Sequence, residues 1–264
     1  MVILKTKSEI EGIRKASIIV AEVLDIVVPE HLRPGISTGE LNHVIERYIR
    51  SKGGYPTFLG YHGYPAASCI SLNDEVVHGI PNKRRVIKEG DLVKVDVGVT
   101  LNGLIGDAAR TYAVGEVSEQ TKRLMETTFK ALYAGIEAAR IGNRIRDIST
   151  AIYSVIKSHG FYAVRELSGH GVGLRLHEDP SIPNFPQGGR SVRIRPGMTL
   201  AIEPMVAVGT WEVLTKSDGW TVVTKDHSLA AHFEHTIAIT DDGPEILTVL
   251  EGMDLEFDRF FLPV

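Results

Sequence analysis

The residues from Leu92 to Tyr112 constrain the fold more than any other segment, because they predict a β-hairpin. The first half of the segment alternates β-branched residues with other residues, as a strand with one buried face does. The pair Asn102-Gly103 is typical of a type I′ turn, in which both central residues need positive φ. With this turn, Gly98 lies opposite Asp107, and Asp96 points to the same face as Asp107. The two aspartates are then diagonal neighbours roughly 7–8 Å apart at Cα, and the space over Gly98 has room for a metal ion.

Two aspartates on one strand face need an explanation, because aspartate is depleted in strands and a buried, unpaired carboxylate is costly. A solvated face of an antiparallel sheet would accommodate both side chains. A metal ion between them would do so as well. The hairpin alone leaves both interpretations open.

The composition excludes several classes of protein. The net charge of −4 gives no basic surface for nucleic-acid readout. The most apolar stretch, residues 18–28, contains Glu22 and Asp25 and is too short to span a bilayer. The single cysteine, Cys69, cannot form an intramolecular disulfide and fits a reducing compartment. We therefore expect a cytoplasmic protein without a membrane segment.

The order of the predicted elements indicates α+β architecture. Capping boxes at Ser8/Glu11 and Ser37/Glu40 predict the starts of two helices, and Pro29 and Gly53-Gly54 predict their ends. Two further helices are predicted over about 118–139 and 146–160. Besides the hairpin, strands are predicted over 67–72, 75–78, 162–166, 199–208, 221–224, 233–240 and 246–249.

A spacing that occurs once in each half of the sequence suggests an internal duplication. Asp96 follows Gly90 by six residues on a predicted strand, and Glu203 follows Gly197 by the same interval. A pseudo-twofold axis would bring these two acid-bearing strands together. Since no linker rich in Pro, Gly or Ser interrupts the chain, we expect one domain over residues 1–264, with halves at about 5–115 and 116–250. The tail, 251–264, has no predicted role.

Five polar residues stand in apolar or glycine-rich surroundings, where they need a partner: Asp96, Asp107, His170, Glu203 and Glu234. Four carboxylates with one imidazole suit first-row divalent metals. Two such ions would neutralise four negative charges, whereas one would leave charge uncompensated in an apolar setting. This set favours the metal interpretation of the hairpin. Three further candidates lie beside glycines or turns: His62, His78 and His177.

A series of short segments carries a family resemblance: 60–65, 69–71, 76–81, 95–97, 106–107, 169–173, 200–205, 218–220 and 233–236. In this order, between about Lys5 and Leu250, they resemble the methionine aminopeptidases in their bacterial type I form. The resemblance implies the pita-bread fold, an α+β fold with a pseudo-twofold antiparallel sheet core covered by two pairs of helices. It also implies a hydrolase, a metalloaminopeptidase. Such an enzyme removes the initiator methionine before a small second residue, with a metal-bound water at a dinuclear site.

The resemblance assigns a role to each metal-ligating residue. It implies that Asp107 and Glu234 bridge two ions, that Asp96 chelates one, and that His170 and Glu203 bind the other. The ions are divalent, and the donor set accepts Co, Mn, Fe, Zn or Ni. Glu203 would also move a proton between the water and the leaving amine.

The resemblance also implies the substrate contacts. His177 would stabilise the oxyanion, and His78 would donate to the next peptide unit or to the leaving nitrogen. The substrate-binding set is Tyr61, His62, Tyr64, Cys69, His78, Leu176, His177 and Trp220. Cys69 is expected to be a pocket wall and not a nucleophile. Leu176 departs from the family pattern, because bacterial members often have phenylalanine there.

The implied partners are nascent proteins and peptides that begin with methionine. A transient ribosome contact follows from that role, and the resemblance implies a monomer, the usual state of the family. Two other functions stay open. A prolidase-like, proline-directed peptidase of the same fold would be expected to carry an extra N-terminal domain, for which a chain of 264 residues has no room. A pita-bread module that binds peptides without hydrolysis would be expected to lack metal ligands, and all five are present here.

Overall fold

The computed structural model describes residues 1–253 and 256–264. Its first half contains helices α1 (Lys7–Glu22), α2 (Val28–His31) and α3 (Thr38–Ser51), and strands β1 (Tyr55–Pro56), β2 (Cys69–Leu72), β3 (Glu75–Val77), β4 (Leu92–Leu101) and β5 (Leu104–Val114). Its second half contains helices α4 (Glu119–Ala138) and α5 (Ile145–Ser158). Strands β6–β16 follow: Tyr162–Ala163, Ser168–Gly171, Glu178–Pro183, Thr199–Ile202, Met205–Ala207, Val213–Thr215, Val222–Thr224, Ala230–His232, His235–Thr240, Gly243–Ile246 and Phe261–Leu262. The α+β order expected from the sequence is confirmed.

The first helix differs from its prediction at both ends. Its capping box is Thr6 with Glu9, so the predicted Ser8/Glu11 box is wrong and Ser8 lies in the first turn. The helix also does not end at Pro29. It widens into a π-helical turn over Val23–Val27 and continues as α2, where Pro29 lies in the first turn. The missing N–H of Pro29 falls directly after the π-helical turn, where the regular i→i−4 pattern is already interrupted.

The hairpin has the predicted register. Asn102 and Gly103 have φ values of 51° and 79°, as a type I′ turn requires. Gly98 pairs with Asp107, and Asp96 pairs with Ala109, so the two aspartates are diagonal neighbours on one face. The local turn chemistry therefore decides where both carboxylates lie.

Two five-stranded sheets meet at the hairpin. The first contains β1, β2, β4, β5 and β16, and the second contains β7, β8, β9, β14 and β15. Thr236 on β14 accepts from Asp107 N–H at 3.1 Å, and its hydroxyl donates to Asp107 O at 2.7 Å. Next to this pair, Glu234 forms an isolated antiparallel bridge with Ala109. These links place the acids of the second half beside those of the first.

The strand predicted over 199–208 is interrupted, and the strand predicted over 233–240 begins only at His235. Glu203-Pro204 separates β9 from β10, and Phe233-Glu234 separates β13 from β14. Pro204 has no N–H for a ladder, and the N–H of Glu234 donates instead to Ala109 O at 3.0 Å. Strands β7, β8 and β11 were not predicted, because their residues lack apolar alternation. The strand predicted over 246–249 is instead Gly243–Ile246.

The helices cover the sheets in the manner expected. Helix α1 packs on β4 and β5, and α3 packs beside it on β1, whereas α4 and α5 pack together over the strands of the second half. None of the helices in the described part of the chain combines the length and the apolarity that a membrane span needs.

The C-terminal tail packs onto the body of the protein. Strand β16 pairs in parallel with the end of β5, Phe261 with Ala113 and Leu262 with Val114. The buried ring of Phe260 lies 6.0 Å from that of Tyr112 and 5.0 Å from that of Phe233. Because Phe233 precedes Glu234, the tail supports the backbone that carries one of the candidate ligands.

Candidate metal centre

All five predicted ligands line one cavity of about 540 Å³. Asp96 and Asp107 come from the hairpin and His170 comes from β7, whereas Glu203 and Glu234 come from the two strand interruptions. A carboxylate at an interruption is free of the ladder's alternation and turns toward the cavity. The fold thus brings the five predicted ligands together from both halves of the chain.

The candidate ligand atoms form two groups that share Glu234. One ligand atom each of Asp107, His170 and Glu234 lie within 4.8 Å of one another, and the same holds for Glu203, His232 and Glu234. His170 Nε2 lies 3.9 Å from Asp107 Oδ2 and 3.3 Å from Glu203 Oε1. Asp96 belongs to neither group, although it lines the same cavity.

The imidazole of His170 has a defined tautomer. Its Nδ1 lies 3.0 Å from Gly171 O, and because a carbonyl only accepts, Nδ1 carries the proton. Burial lowers the pKa of His170 to about 3, so the ring is neutral. Its Nε2 lone pair therefore faces the carboxylates, which is the arrangement of a metal ligand.

Burial also raises the pKa values of the acids in the cavity. It raises the pKa of Asp96 to about 7 and that of Glu203 to about 8. Burial, reinforced by the neighbouring carboxylates, raises the pKa of Asp107 and of Glu234 well above the usual range. Several acids that resist ionisation in one cavity are a mark of a functional site.

The residues fit divalent metal ions. Oδ1 of Asp96, Oδ1 of Asp107 and Oε1 of Glu234 are buried, and none has a hydrogen-bond partner within residues 1–253 and 256–264. Buried polar atoms without partners are rare and costly, and a bound cation would satisfy all three. Carboxylate oxygens with an imidazole nitrogen are donors that first-row divalent ions accept.

The space over Gly98 does not hold an ion, contrary to the expectation from the sequence. A Cβ added at Gly98 would lie 2.7 Å from Cε1 of Phe58, so the phenyl ring occupies that space. Phe58 also lines the cavity and was not predicted. The sequence offered no signal for it, because residue 58 and residue 98 are distant along the chain.

Two of the three candidate histidines lie in the cavity wall. The ring of His177 lies 4.4 Å from that of His170, and its Nδ1 is 2.8 Å from the hydroxyl of Tyr61. His78 packs edge-on against Trp220 with ring centroids 6.3 Å apart. His62 is exposed, stacks edge-on against Tyr61 and does not line the cavity.

The remaining substrate-binding candidates form one apolar wall. Buried Tyr64, Cys69 and Leu176 belong to a single hydrophobic cluster, against which Tyr61 and half-buried Trp220 pack. Burial raises the pKa of the Cys69 thiol well above its usual range, which fits a wall and not a nucleophile. His232, near Glu203, was missed by the sequence analysis. The sequence signal that could have found it is a histidine two residues before Glu234 in an apolar segment.

Comparison with known proteins agrees with this geometry. Residues 11–241 match the model of metallopeptidase family M24. The methionine aminopeptidase of Clostridium acetobutylicum is 49% identical over 95% of this chain and 100% of its own. Methionine aminopeptidase 1 of Bacillus subtilis is 48% identical over 94% of this chain and 99% of its own. The chain belongs to the methionine aminopeptidases. This membership confirms the predicted family and makes the protein a metallopeptidase hydrolase.

Solved methionine aminopeptidases share the fold. The structure from Thermotoga maritima superposes with a TM-score of 0.92 at 48% identity and covers 95% of this chain and 100% of that chain. The prolidase from Pyrococcus furiosus superposes with a TM-score of 0.75 at 26% identity, covering 94% of this chain but only 66% of the prolidase. These neighbours confirm the predicted pita-bread fold.

Proposed function

We propose that the protein removes the N-terminal methionine from nascent proteins and peptides with a small second residue, at a site for two divalent ions in the cytoplasm. The observation that carries this proposal is the pair of ligand groups that share Glu234 beside an apolar pocket. Two ions balance the four carboxylates of the cavity, whereas one would leave charge uncompensated. Asp96, Asp107, His170, Glu203 and Glu234 would hold the ions.

When bound, such ions lower the pKa of a water molecule and polarise a carbonyl oxygen. Glu203 supplies the proton transfer that hydrolysis needs. Its carboxylate lines the cavity among the candidate ligands, within reach of such a water, and a carboxylate can accept a proton and pass it on. Glu203 thus takes a proton from the water and gives it to the leaving amine.

His177 and His78 bind the reacting peptide. If the Tyr61 hydroxyl donates to Nδ1 of His177, then Nε2 of that ring carries the proton and can donate to the oxyanion. Burial lowers the pKa of His78 to about 4, so this ring is also a neutral donor, directed to the next peptide unit or to the leaving nitrogen.

The apolar wall selects methionine. Tyr64, Cys69, Leu176 and Trp220 enclose a slot in which a thioether contacts aromatic rings and a thiol, an interaction that is favourable but weakly directional. Tyr61 packs against this wall, and the exposed ring of His62 lies outside it, 4.4 Å from the ring of Tyr61.

We further propose that residues 1–264 act as one catalytic domain, with halves at about 5–115 and 116–250, as a monomer that contacts the ribosome transiently. One hydrophobic cluster supports the single domain, because it contains Val95 of the first half and Ile237 of the second. The ribosome contact and the monomer rest on the proposed role alone.

The test is peptide hydrolysis by chelator-stripped protein, assayed before and after addition of Co²⁺, Mn²⁺, Fe²⁺, Ni²⁺ or Zn²⁺. We expect metal-dependent release of methionine from Met-Ala-Ser and far slower release from Met-Leu-Ser. Glu203→Gln should be inactive, whereas His227→Gln, at an exposed residue, should match the wild type. The absence of metal-dependent methionine release would refute the proposal. Preferential cleavage of an X-Pro dipeptide would favour the prolidase-like function instead.

A further inference from the structure

His232 lies among the acids of the metal centre and has no role in the proposed function. It ends strand β13, two residues before Glu234, and its side chain is 1% exposed. A buried imidazole beside several carboxylates needs a partner, because an unpaired buried nitrogen is costly.

Glu203 lies between two imidazoles. Its Oε1 is 3.3 Å from Nε2 of His170, and its Oε2 is 3.2 Å from Nε2 of His232. The two nitrogen–oxygen distances are nearly equal. His170 is one of the five predicted metal ligands, so its relation to Glu203 shows how a ligand pair is arranged in this site.

Neither contact of Glu203 with these two imidazole nitrogens is a satisfactory hydrogen bond. Nε2 of His170 has no proton to donate, because its Nδ1–H faces the carbonyl of Gly171. Nε2 of His232 has no hydrogen-bond partner within residues 1–253 and 256–264, although Glu203 Oε2 is only 3.2 Å away. The oxygen therefore lies close to the imidazole nitrogen without alignment to it.

Two donors that share one ion show this kind of separation. With metal–donor distances near 2.1 Å, neighbouring N and O donors lie roughly 3.0–3.4 Å apart. Both nitrogen–oxygen separations at Glu203 fall in that range. One ligand atom each of Glu203, His232 and Glu234 also lie within 4.8 Å of one another.

We propose that His232 is a sixth donor of the metal centre and binds a divalent ion together with Glu203 and Glu234. The proposal rests on the proposed function, because it requires that ions occupy this cavity. Its consequence is a second nitrogen donor in the site. Imidazole favours Fe, Ni or Zn over the harder Mn²⁺, so His232 biases the site away from manganese.

The first test compares metal binding by chelator-stripped wild type, His232→Gln and His227→Gln. Glutamine keeps an N–H donor of similar reach but is a poor ligand. Titration calorimetry with Co²⁺ should show at least about 10-fold weaker binding of one ion to His232→Gln. The visible absorption of bound Co²⁺ should change as well. His227→Gln, the exposed control, should bind Co²⁺ like the wild type.

The outcomes separate this inference from the proposed function. Wild-type affinity and spectrum in His232→Gln would refute the donor role and leave His232 as a buried neighbour of Glu203. A wild type that binds no Co²⁺ would refute the proposed function as well.

A second measurement needs no variant, and it covers the case in which His232→Gln does not fold. X-ray absorption of the Co²⁺-loaded wild type should show scattering from two imidazoles per protein. One imidazole per protein would refute the inference.

Discussion

Asp96 and Glu234 lie on opposite sides of Ala109. Asp96 pairs with Ala109 across the hairpin, and Glu234 reaches Ala109 through an isolated antiparallel bridge. A small side chain thus separates two acids that belong to different halves of the chain. This one row of residues buries two acids where the two sheets meet, and that burial, reinforced by neighbouring carboxylates, is why they resist ionisation in the absence of metal.

The metal-free protein should lose stability as the pH rises from 7 to 8. Burial raises the pKa of Asp96 to about 7 and that of Glu203 to about 8, whereas the unfolded acids titrate near 4. The folded state therefore holds protons that the unfolded state has lost, and these two acids should lower the free energy of unfolding by roughly 1 kcal/mol. Asp107 and Glu234, whose pKa values burial raises well above the usual range, add to the fall. Lys94 opposes this in part, because burial lowers its pKa to about 7. Thermal unfolding in chelator at both pH values measures the change.

The buried histidines change the free energy of unfolding little between pH 7 and 8. Burial lowers the pKa of His78 and His232 to about 4 and that of His170 to about 3, so these rings are neutral in the folded state. In the unfolded state, with the ordinary pKa near 6.5, they are mostly neutral above pH 7 and oppose the change only weakly. The metal-loaded protein is the control. Because metal binding requires deprotonated ligands, its stability should rise with pH over the same interval. A metal-free protein that becomes more stable from pH 7 to 8 would contradict the assignment.

Tyr61→Phe should lower kcat by about 10-fold, the cost of one hydrogen bond that orients a catalytic ring. The hydroxyl of Tyr61 lies 2.8 Å from Nδ1 of His177 and holds the tautomer in which Nε2 can donate. His177→Ala should cost about 10²–10³-fold, as the loss of an oxyanion donor does. Steady-state kinetics with Met-Ala-Ser measures both. Metal content should be unchanged, and Tyr55→Phe, at an exposed tyrosine, is the matched control.

Leu176→Phe should raise the KM for Met-Ala-Ser by about 10-fold with a smaller change in kcat. Leu176 is 4% exposed in the apolar wall, so a larger ring takes volume from the slot and weakens ground-state and transition-state binding alike. Leu174→Phe, at a residue that is 38% exposed, is the control. Equal KM values for the two variants would show that Leu176 does not shape the slot.

Lys5→Met should cost about 3–5 kcal/mol of unfolding free energy, because it leaves a buried carboxylate without its counterion. Lys5 forms a buried ion pair with Glu178. The other oxygen of Glu178 accepts from the N–H groups of Leu174 and Arg175, at 2.8 and 2.9 Å, and so braces the loop that carries His177. Activity should therefore fall together with stability.

Chemical denaturation and kinetics measure the two effects of Lys5→Met. Lys7→Met, at an exposed lysine, is the control. Adding Glu178→Gln to Lys5→Met should restore part of the stability, because it removes the unpaired charge. A double variant that is less stable than Lys5→Met would argue against the ion pair as the cause.

Local chemistry made part of the fold predictable. The Asn102-Gly103 turn and the alternation of the first strand were enough to place Asp96 diagonally from Asp107, since hairpin register depends on neighbours along the chain. Ser37 and Ser118 begin their helices as expected. The start of the first helix was predicted two residues late, because two overlapping capping patterns, Thr6/Glu9 and Ser8/Glu11, compete there.

The candidate ligands were also recognisable, because acids and histidines in apolar or glycine-rich segments need a partner whatever the fold. Their arrangement was not. The strand interruptions at Glu203 and Glu234, and the ring of Phe58 over Gly98, depend on contacts between distant segments.

The sequence alone therefore determined the hairpin, most helix ends and the identity of five polar residues that require neutralisation. The tertiary structure alone decided that Glu203 lies between His170 and His232 and that Lys5 neutralises Glu178. The physical reason is that backbone propensity and turn chemistry act over a few residues. Burial and charge compensation depend on which distant segments pack together, and that is settled only when the sheets of the two halves meet.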